Sequence, residues 1–433
     1  MTKYQRRVVD AELDELLQFL PAILIEGPKG VGKTLTAEQR AQSVLRLDDR
    51  AQQTIAAADP TLALDRPRPT LIDEWQRLPE IWDVVRRAVD ANSTASQYLL
   101  TGSADPEQPP THSGAGRIVS VRMRPMTLTE RGVATPTVSL GHMLQGGRQP
   151  LSGRSAVTLA DYTREVMASG FPGLRAYHGR ALRAQLDGYL ARIVDRDFPE
   201  LGWPVRRPHL LHRWMTAYAA ATSTTASLET IRDAATGGES EKPAKTTTIQ
   251  YREILERLWI IDPVPAWLPS RNPIAPLMQA PKHQLADPAL AARLLGVTET
   301  ALLAATTPLR VADRPGPHDA TLRDGSMLGR LFESLVTLDV RVYAQAAESM
   351  VRHLRTFNGR HEVDLIVVRG DHRVLAIEVK LGAVVTDDDV KQLHWLQREI
   401  GDDLIDAIVI TTGAEAYRRR DGIAVVPAAL LGP

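Results

Sequence analysis

Cysteine is missing from all 433 residues, which excludes disulfides and zinc–thiolate sites and fits a reducing compartment. Net charge is missing as well. Lys plus Arg and Asp plus Glu number 52 each, so a uniformly basic coat for nucleic acid is excluded while local patches stay open. No apolar run approaches the ~20 residues of a membrane span, and the opening MTKYQRRVVDAEL lacks the apolar centre of a signal peptide. The expectation is a cytoplasmic protein with no membrane partner. No internal repeat stands out. The length exceeds what one core organises, and roughly three domains are expected.

Against these absences stands Gly27 to Thr34, GPKGVGKT, a full match to the phosphate-loop pattern GxxxxGK[ST]. The apolar run Ala22 to Glu26 before it reads as a buried strand, and Leu35 to Ser43 after it reads as a helix. In such a loop (Gly27, Pro28, Lys29, Gly30, Val31, Gly32, Lys33, Thr34) backbone N–H groups turn inward around phosphates at a helix N-terminus that favours an anion. Lys33 is expected to reach the β- and γ-phosphates and Thr34 to hold Mg²⁺.

A second strand, within PTLIDEWQ, ends in paired carboxylates. Asp73 is the expected Mg²⁺ partner, through water, and Glu74 the residue that orients or deprotonates the attacking water. A third strand, Gln97 to Leu100, runs into Thr101 and Ser103, whose hydroxyls are candidates for sensing the γ-phosphate, Ser103 slightly preferred over Thr101; a plain strand-to-turn exit is the alternative. Arg117, before the strand-like IVSVRM, has two readings: an arginine finger supplied to a neighbouring subunit of a homo-oligomer, or an ordinary ion-pair residue.

The order GPKGVGKT, ADP, LIDEWQRLPEIW, LLTGS, AGR and RPMTLTERG resembles the prokaryotic AAA-type P-loop ATPases that carry a C-terminal domain of unknown function. The similarity extends through SGFPGL, YLARIVDRDFPEL, the segment from Tyr251 to Trp267 and PKHQLADPALAA, and so covers most of the chain. It implies an ATP-hydrolysing domain and adenine over guanine. Two departures stand out: Trp75 sits where that family has a small or aliphatic residue, and the loop after LTGS is acidic and Pro-rich rather than basic, which weakens a nucleic-acid role for it.

Composition breaks divide the chain into an ATPase domain (1–139), a linker (140–157), a helical and winged-helix region (158–305), a second linker (306–325) and a C-terminal domain (326–433). In the middle, Ala181 to Phe198 and His209 to Ala221 read as helices. Ser227 to Ala235 and Thr246 to Leu258 follow as helices, and Trp259 to Val264 as a strand, the order of a winged-helix unit. Its second helix carries mixed charge, so it either enters a DNA groove or serves packing, as an AAA-type lid does.

The C-terminal stretch HEVDLIVVRGDHRVLAIEVKL reads as two strands and a turn. With the turn near Asp371, Asp364 falls opposite Glu378, and Lys380 projects from the same face. Two carboxylates and a cation are what metal-assisted phosphodiester hydrolysis uses. The helix Gly329 to Val340 would bring Glu333 as a third acidic ligand, and Gln392 lies on a helix starting near Asp387. This order resembles the PD-(D/E)XK restriction-endonuclease-like fold, with Val363 in place of the signature Pro. The resemblance implies Mg²⁺ held by Glu333, Asp364 and Glu378, with Asp364, Glu378 and Lys380 catalytic. The alternative is an inactive nuclease fold held by an ion-pair network.

The fold expected is α/β throughout: an AAA-type P-loop domain, a helical and winged-helix middle, and a restriction-endonuclease-like C-terminal domain. Two functions follow. One is an ATPase that couples nucleotide state to Mg²⁺-dependent DNA cleavage; the other is a nucleotide-switched factor that holds DNA or a protein partner without cutting.

Overall fold

The computed structural model describes residues 4–102, 112–148, 150–236, 242–270, 274–305, 326–357 and 359–433. Ser103, most of the acidic loop after it, and the expected 306–325 linker lie outside the described residues.

Strands β1 (Ala22–Glu26), β2 (Ser43–Arg46), β3 (Thr70–Asp73), β4 (Tyr98–Gly102) and β5 (Val119–Arg122) make an all-parallel sheet in the order β2-β3-β4-β1-β5. Its central strands are apolar on both faces, as a sheet covered on both sides requires. Ile23, Ile25, Leu71 and Leu99 face one core, while Leu24, Ile72 and Leu100 face another that holds Trp75 and Trp82, rings 4.6 Å apart. The helix expected from Leu35 to Ser43 is shorter, Lys33–Glu38, because Ser43 already pairs with Thr70 in the parallel ladder. That pairing is tertiary, and no local signal announces it.

The expected linker 140–157 is structured. Ser139 caps a helix, Leu140–Gln145, and strand β6 (Val138–Ser139) lies parallel to the chain's last strand, introduced below. β7 (Gly153–Arg154) becomes the edge of the C-terminal sheet.

The middle region is helical, with principal helices Leu159–Ala168, Gly179–Arg192, Pro208–Ala220, Leu228–Ala234, Lys245–Arg257 and Pro288–Leu294. The single helix expected over Ala181 to Phe198 instead widens into a π-turn at Ile193–Asp197 before a last turn, Phe198–Glu200. Pro199 explains the widening: it has no N–H to donate, and its ring crowds the carbonyl four residues back. The strand expected over Trp259 to Val264 is reduced to isolated antiparallel bridges, Ile261 with Leu285 and Val264 with Lys282. Pro263 and Pro265 remove the donors that a regular ladder there would use.

The C-terminal region runs helix Ser326–Ala346, β8 (Met350–Arg355), β9 (Glu362–Val368), β10 (Val374–Val379), helix Asp387–Ile400, β11 (Leu404–Thr411), β12 (Glu415–Arg418), β13 (Ala424–Pro427) and β14 (Leu431–Gly432). A mixed seven-stranded sheet results, ordered β7-β12-β13-β11-β10-β9-β8. Alternation sends Leu365, Val367, Leu375 and Ile377 to the face under the long helix, and Ile366, Val368, Val374 and Ala376 to the other. The first of these cores is continuous from Ile23 through the middle helices to Leu431, so the regions share packing.

Candidate functional site

The order of the first sheet reverses beside β1, and ligands of such sheets bind at that reversal, outside the carboxyl ends of the strands. The phosphate loop leaves β1 there. Ladder partners bring Thr101 of β4 level with Ile25 and with Asp73 of β3, so loop, carboxylate and hydroxyl share one rim. Asp73 Oδ1 accepts from Thr34 Oγ1 at 2.7 Å and from Thr101 Oγ1 at 2.5 Å. Glu74 leaves the strand in the left-handed region, φ 56°, and it accepts a hydrogen bond from Gln76 Nε2.

The loop itself depends on three glycines with positive φ: Gly27 at 153°, Gly30 at 78° and Gly32 at 106°. Gly27 is also the point of closest approach, since a Cβ there would lie 2.2 Å from the Met123 carbonyl oxygen. Lys33 is buried and donates to the carbonyls of Gly27 (2.7 Å) and Pro28 (3.0 Å). Burial pushes its ammonium down to about 8, against the opposing pull of Glu74 and Asp73. A phosphate anion arriving there would restore the charge. Thr34 and Asp73 are hard oxygen donors, and their juxtaposition fits a hydrated Mg²⁺.

Segments with no nucleotide motif pack on or beside this loop, and nothing in the sequence assigned them a role there. Arg7, buried, donates to the Val31 carbonyl (3.0 Å) and pairs with Glu130 (3.0 Å). Lys29 pairs with Asp197 (2.6 Å) and Glu200 (3.0 Å), on the π-turn and the turn after it, and Tyr189 donates to the Lys29 carbonyl at 3.1 Å. The Ser169 hydroxyl and the Gly170 N–H of SGFPGL both donate to Asp287, at 2.6 and 2.7 Å, while Met126 N–H donates to the Gly170 carbonyl. The one visible signal for these contacts was a charged residue amid apolar neighbours, as at Asp287.

Arg117 lies elsewhere. The register of β1 and β5 pairs Ile23 with Val119, so Arg117 stands at the end of the sheet away from the loop. It is exposed and pairs with Asp90 at 2.8 Å. In its own subunit it therefore serves no nucleotide.

In the C-terminal region the β9–β10 register pairs Ile377 with Leu365, and one step further sets Glu378 opposite Asp364. Lys380 pairs with Glu378 at 2.8 Å. Gln392, however, pairs with His361 at 2.9 Å rather than joining the carboxylates. The residue the sequence did not point to is Lys282. Its fully buried ammonium lies 2.8 Å from Glu333 Oε1, 3.1 Å from Asp364 Oδ1 and 3.6 Å from Glu362 Oε1. Burial works against its charge, but Glu333, Asp364 and Glu362 outweigh that and hold its pKa well above the ordinary lysine range. Burial would raise Asp364, yet Lys282, the Val379 N–H (2.9 Å) and Lys380 keep it below its usual range. Burial and then Asp364 push Glu333 and Glu378 up to about 8 each, with Lys282 and Lys380 opposing.

With Lys282 seated, these residues do not fit a divalent cation. Both Asp364 oxygens and Glu333 Oε1 are engaged, and among the described residues no group of three or more acidic or His side chains is arranged to hold a metal. Within this cluster Glu378 Oε2 is buried with no hydrogen-bond partner.

Comparison with known proteins divides the chain in three. Residues 20–131 match a family model described as AAA domain, residues 159–301 a domain of unknown function (DUF8612), and residues 328–431 another domain of unknown function (DUF4143). Over 303 residues the chain is 25% identical to uncharacterized proteins of Mycobacterium tuberculosis and Mycobacterium bovis, taking in 68% of this chain and 60% of each relative. The chain thus spans less than two thirds of the length of these curated relatives. Among solved structures it is similar to a Walker-type ATPase of Pyrococcus abyssi (16% identity, 67% of this chain and 96% of that one, TM-score 0.38) and to a variant of Thermotoga maritima RuvB (15% identity, 60% and 88%, TM-score 0.24). The N-terminal region is an AAA-type P-loop ATPase domain, by its family match and its motifs together. Among the described residues no helix is long and apolar enough to cross a membrane.

Proposed function

We propose that the chain is an ATP-hydrolysing switch whose C-terminal region holds a partner without cutting it. Support for the ATPase half comes from one observation above all: Thr34 of the phosphate loop and Thr101 of β4 both donate to Asp73, so the groups that would handle nucleotide and metal already share a rim. Thr34 and Asp73 would hold Mg²⁺, which when bound neutralises phosphate charge and polarises the γ-phosphoryl group. Lys33 would leave the carbonyls of Gly27 and Pro28 for the phosphates. Glu74 would orient or deprotonate the attacking water. The hydrogen bond from Gln76 is what would fix its carboxylate. Lys29, on the loop and paired to Asp197, links any movement of the loop to the middle helices.

Lys282 is what favours holding over cutting. It occupies the space among Glu333, Asp364 and Glu362 that a catalytic ion would need, and removing it from a buried cluster is costly. The orphaned Glu378 Oε2 is the one feature that speaks for the other reading, Mg²⁺-dependent DNA cleavage through Asp364, Glu378 and Lys380.

The test combines two assays on purified full-length protein. Lys33→Ala should lose binding of a fluorescent ATP analogue, whereas Glu74→Gln should bind it and release phosphate roughly 100-fold more slowly or worse. Wild-type protein incubated with plasmid and oligonucleotide DNA in Mg²⁺ or Mn²⁺ should leave both intact. Binding by Lys33→Ala equal to wild type sinks the ATPase reading. Cleavage that Asp364→Asn abolishes restores the nuclease.

A further inference from the structure

The middle region holds a cavity of about 610 Å³ that neither the ATPase reading nor the C-terminal cluster uses. This lies within the roughly 300–1,000 Å³ of small-ligand sites. Two chemistries line it. Phe198, Trp203 and Tyr251 are aromatic, and Arg206, Arg207 and Lys242 are cationic, with no carboxylate among the described residues of the wall. Trp203 is 45% exposed, an unusual position for an indole that has no ligand. Phe198 and Tyr251 meet edge to face, centroids 6.3 Å apart, and make a fixed apolar floor. Lys242 pairs with Asp233 at 2.5 Å, whereas Arg206 and Arg207 have no ion pair among the described residues. Two exposed guanidinium groups with no carboxylate partner among the described residues, beside an exposed indole, therefore offer a π-face and positive charge together.

We infer that this cavity binds single-stranded nucleic acid, a base lying against Trp203 and the floor, and the backbone phosphates against Arg206 and Arg207. Aromatic faces accept any base, and guanidinium groups follow the backbone, which is the chemistry of sequence-tolerant single-strand binding. An acidic peptide would satisfy the arginines and leave the indole unused. The wall formed by Thr247, Gln250, Tyr251 and Ile254 belongs to the Lys245–Arg257 helix, the one whose place in the sequence suggested a DNA reader. Here the helix contributes a pocket wall rather than a groove-reading face.

The site's position also specifies a coupling. Phe198 follows Asp197 directly, and Asp197 and Glu200 are the two residues that grip Lys29 of the phosphate loop. A base pressed on Phe198 and a nucleotide that draws on the loop act on the same short π-turned segment. The inference of a site stands on the cavity, while its link to ATP rests on the switch proposed above.

The test uses full-length protein and a fluorescein-labelled oligo(dT) 12-mer, followed by anisotropy. Wild type should bind, and Trp203→Ala and Arg206→Glu should each weaken binding by roughly tenfold or more, while Trp203→Phe keeps most of the affinity. Arg398→Glu, an equal charge change at an exposed position of the Asp387–Ile400 helix, should change it little. Replacing Arg206 and Arg207 together with Ala should flatten the log–log salt slope by about 1.4. Unlabelled AMP should compete far more weakly than unlabelled oligomer, and a glutamate 12-mer should not compete. Wild-type affinity in Trp203→Ala and Arg206→Glu overturns the site. AMP competing as well as the oligomer reassigns it to a free nucleotide, and effective competition by the glutamate peptide reassigns it to acidic protein; either overturns the inference. If the oligomer binds but ATP never alters its affinity in wild type, the pocket stands and the switch falls.

Discussion

Lys282 is the residue on which the two readings of the C-terminal region divide, and Lys282→Met tests its role while keeping the volume of the side chain. In the folded protein its ammonium is within 3.1 Å of two carboxylates and has no solvent exposure. Removing one partner of a buried ion pair costs about 3–5 kcal/mol, because the remaining charge stays desolvated and alone. With each 1 kcal/mol moving the midpoint by about 2–4 °C for units of this size, Tm should fall by roughly 6–20 °C. The pH dependence gives the sign. In wild type, Asp364 is held below its usual range, so its contribution is present above the unfolded pKa and lost as pH falls through the depressed value. Without Lys282, burial raises Asp364, and Glu333, already at about 8, rises further. A carboxyl raised in the folded state contributes stability that is full below about 4 and lost as pH climbs toward 8. The deficit of Lys282→Met should therefore be large at pH 8 and shrink at pH 5. Adding Glu333→Gln and Asp364→Asn should recover much of it at pH 8. Differential scanning calorimetry of the full chain reads all three quantities. A fall below about 3 °C, or a deficit identical at the two pH values, would refute the role given to Lys282.

Three further outcomes follow from the nucleotide site. Because burial holds Lys33 at about 8 without a phosphate, ATP binding at pH 8 should take up protons and weaken as pH rises further; titration calorimetry in two buffers of different ionisation enthalpy reads the uptake, and identical enthalpies would contradict it. Gly27→Ala should lose ATP binding, since its Cβ would sit 2.2 Å from the Met123 carbonyl; unchanged affinity in an equilibrium binding assay would show that the loop can shift. If Arg117 acts across a subunit boundary, mixing Arg117→Ala with Lys33→Ala protein should restore part of the ATPase activity, and specific activity should rise with concentration. A constant specific activity with no complementation leaves Arg117 to its pair with Asp90.

Local pattern carried much of this protein. GPKGVGKT fixes its own backbone, because positive φ at Gly27, Gly30 and Gly32 and a lysine after the last of them are properties of adjacent residues. The strand ending at Asp73 and the β9–β10 hairpin were legible for the same reason: period-two apolar alternation and a turn are local, and the turn position alone predicts that Asp364 faces Glu378. The π-turn at Ile193–Asp197 is local too, since Pro199 is visible in the sequence, but its consequence is not. Only the fold brings Asp197 to Lys29, 168 positions away. Arg117 carried two readings in the sequence, a finger for a neighbouring subunit or an ion-pair residue, and only the parallel register shows that it stands at the far end of the sheet from its own phosphate loop. Lys282 is the clearest case. It reads as one cation in PKHQLADPALAA, and Asp364, 82 positions on, reads as a metal ligand. A charge interacts through space with whatever the fold places within a few ångströms, so no spacing rule could show that the site's counter-charge is supplied by a lysine from another region. The sequence determined which groups carry chemistry, and the tertiary structure decided which of them meet.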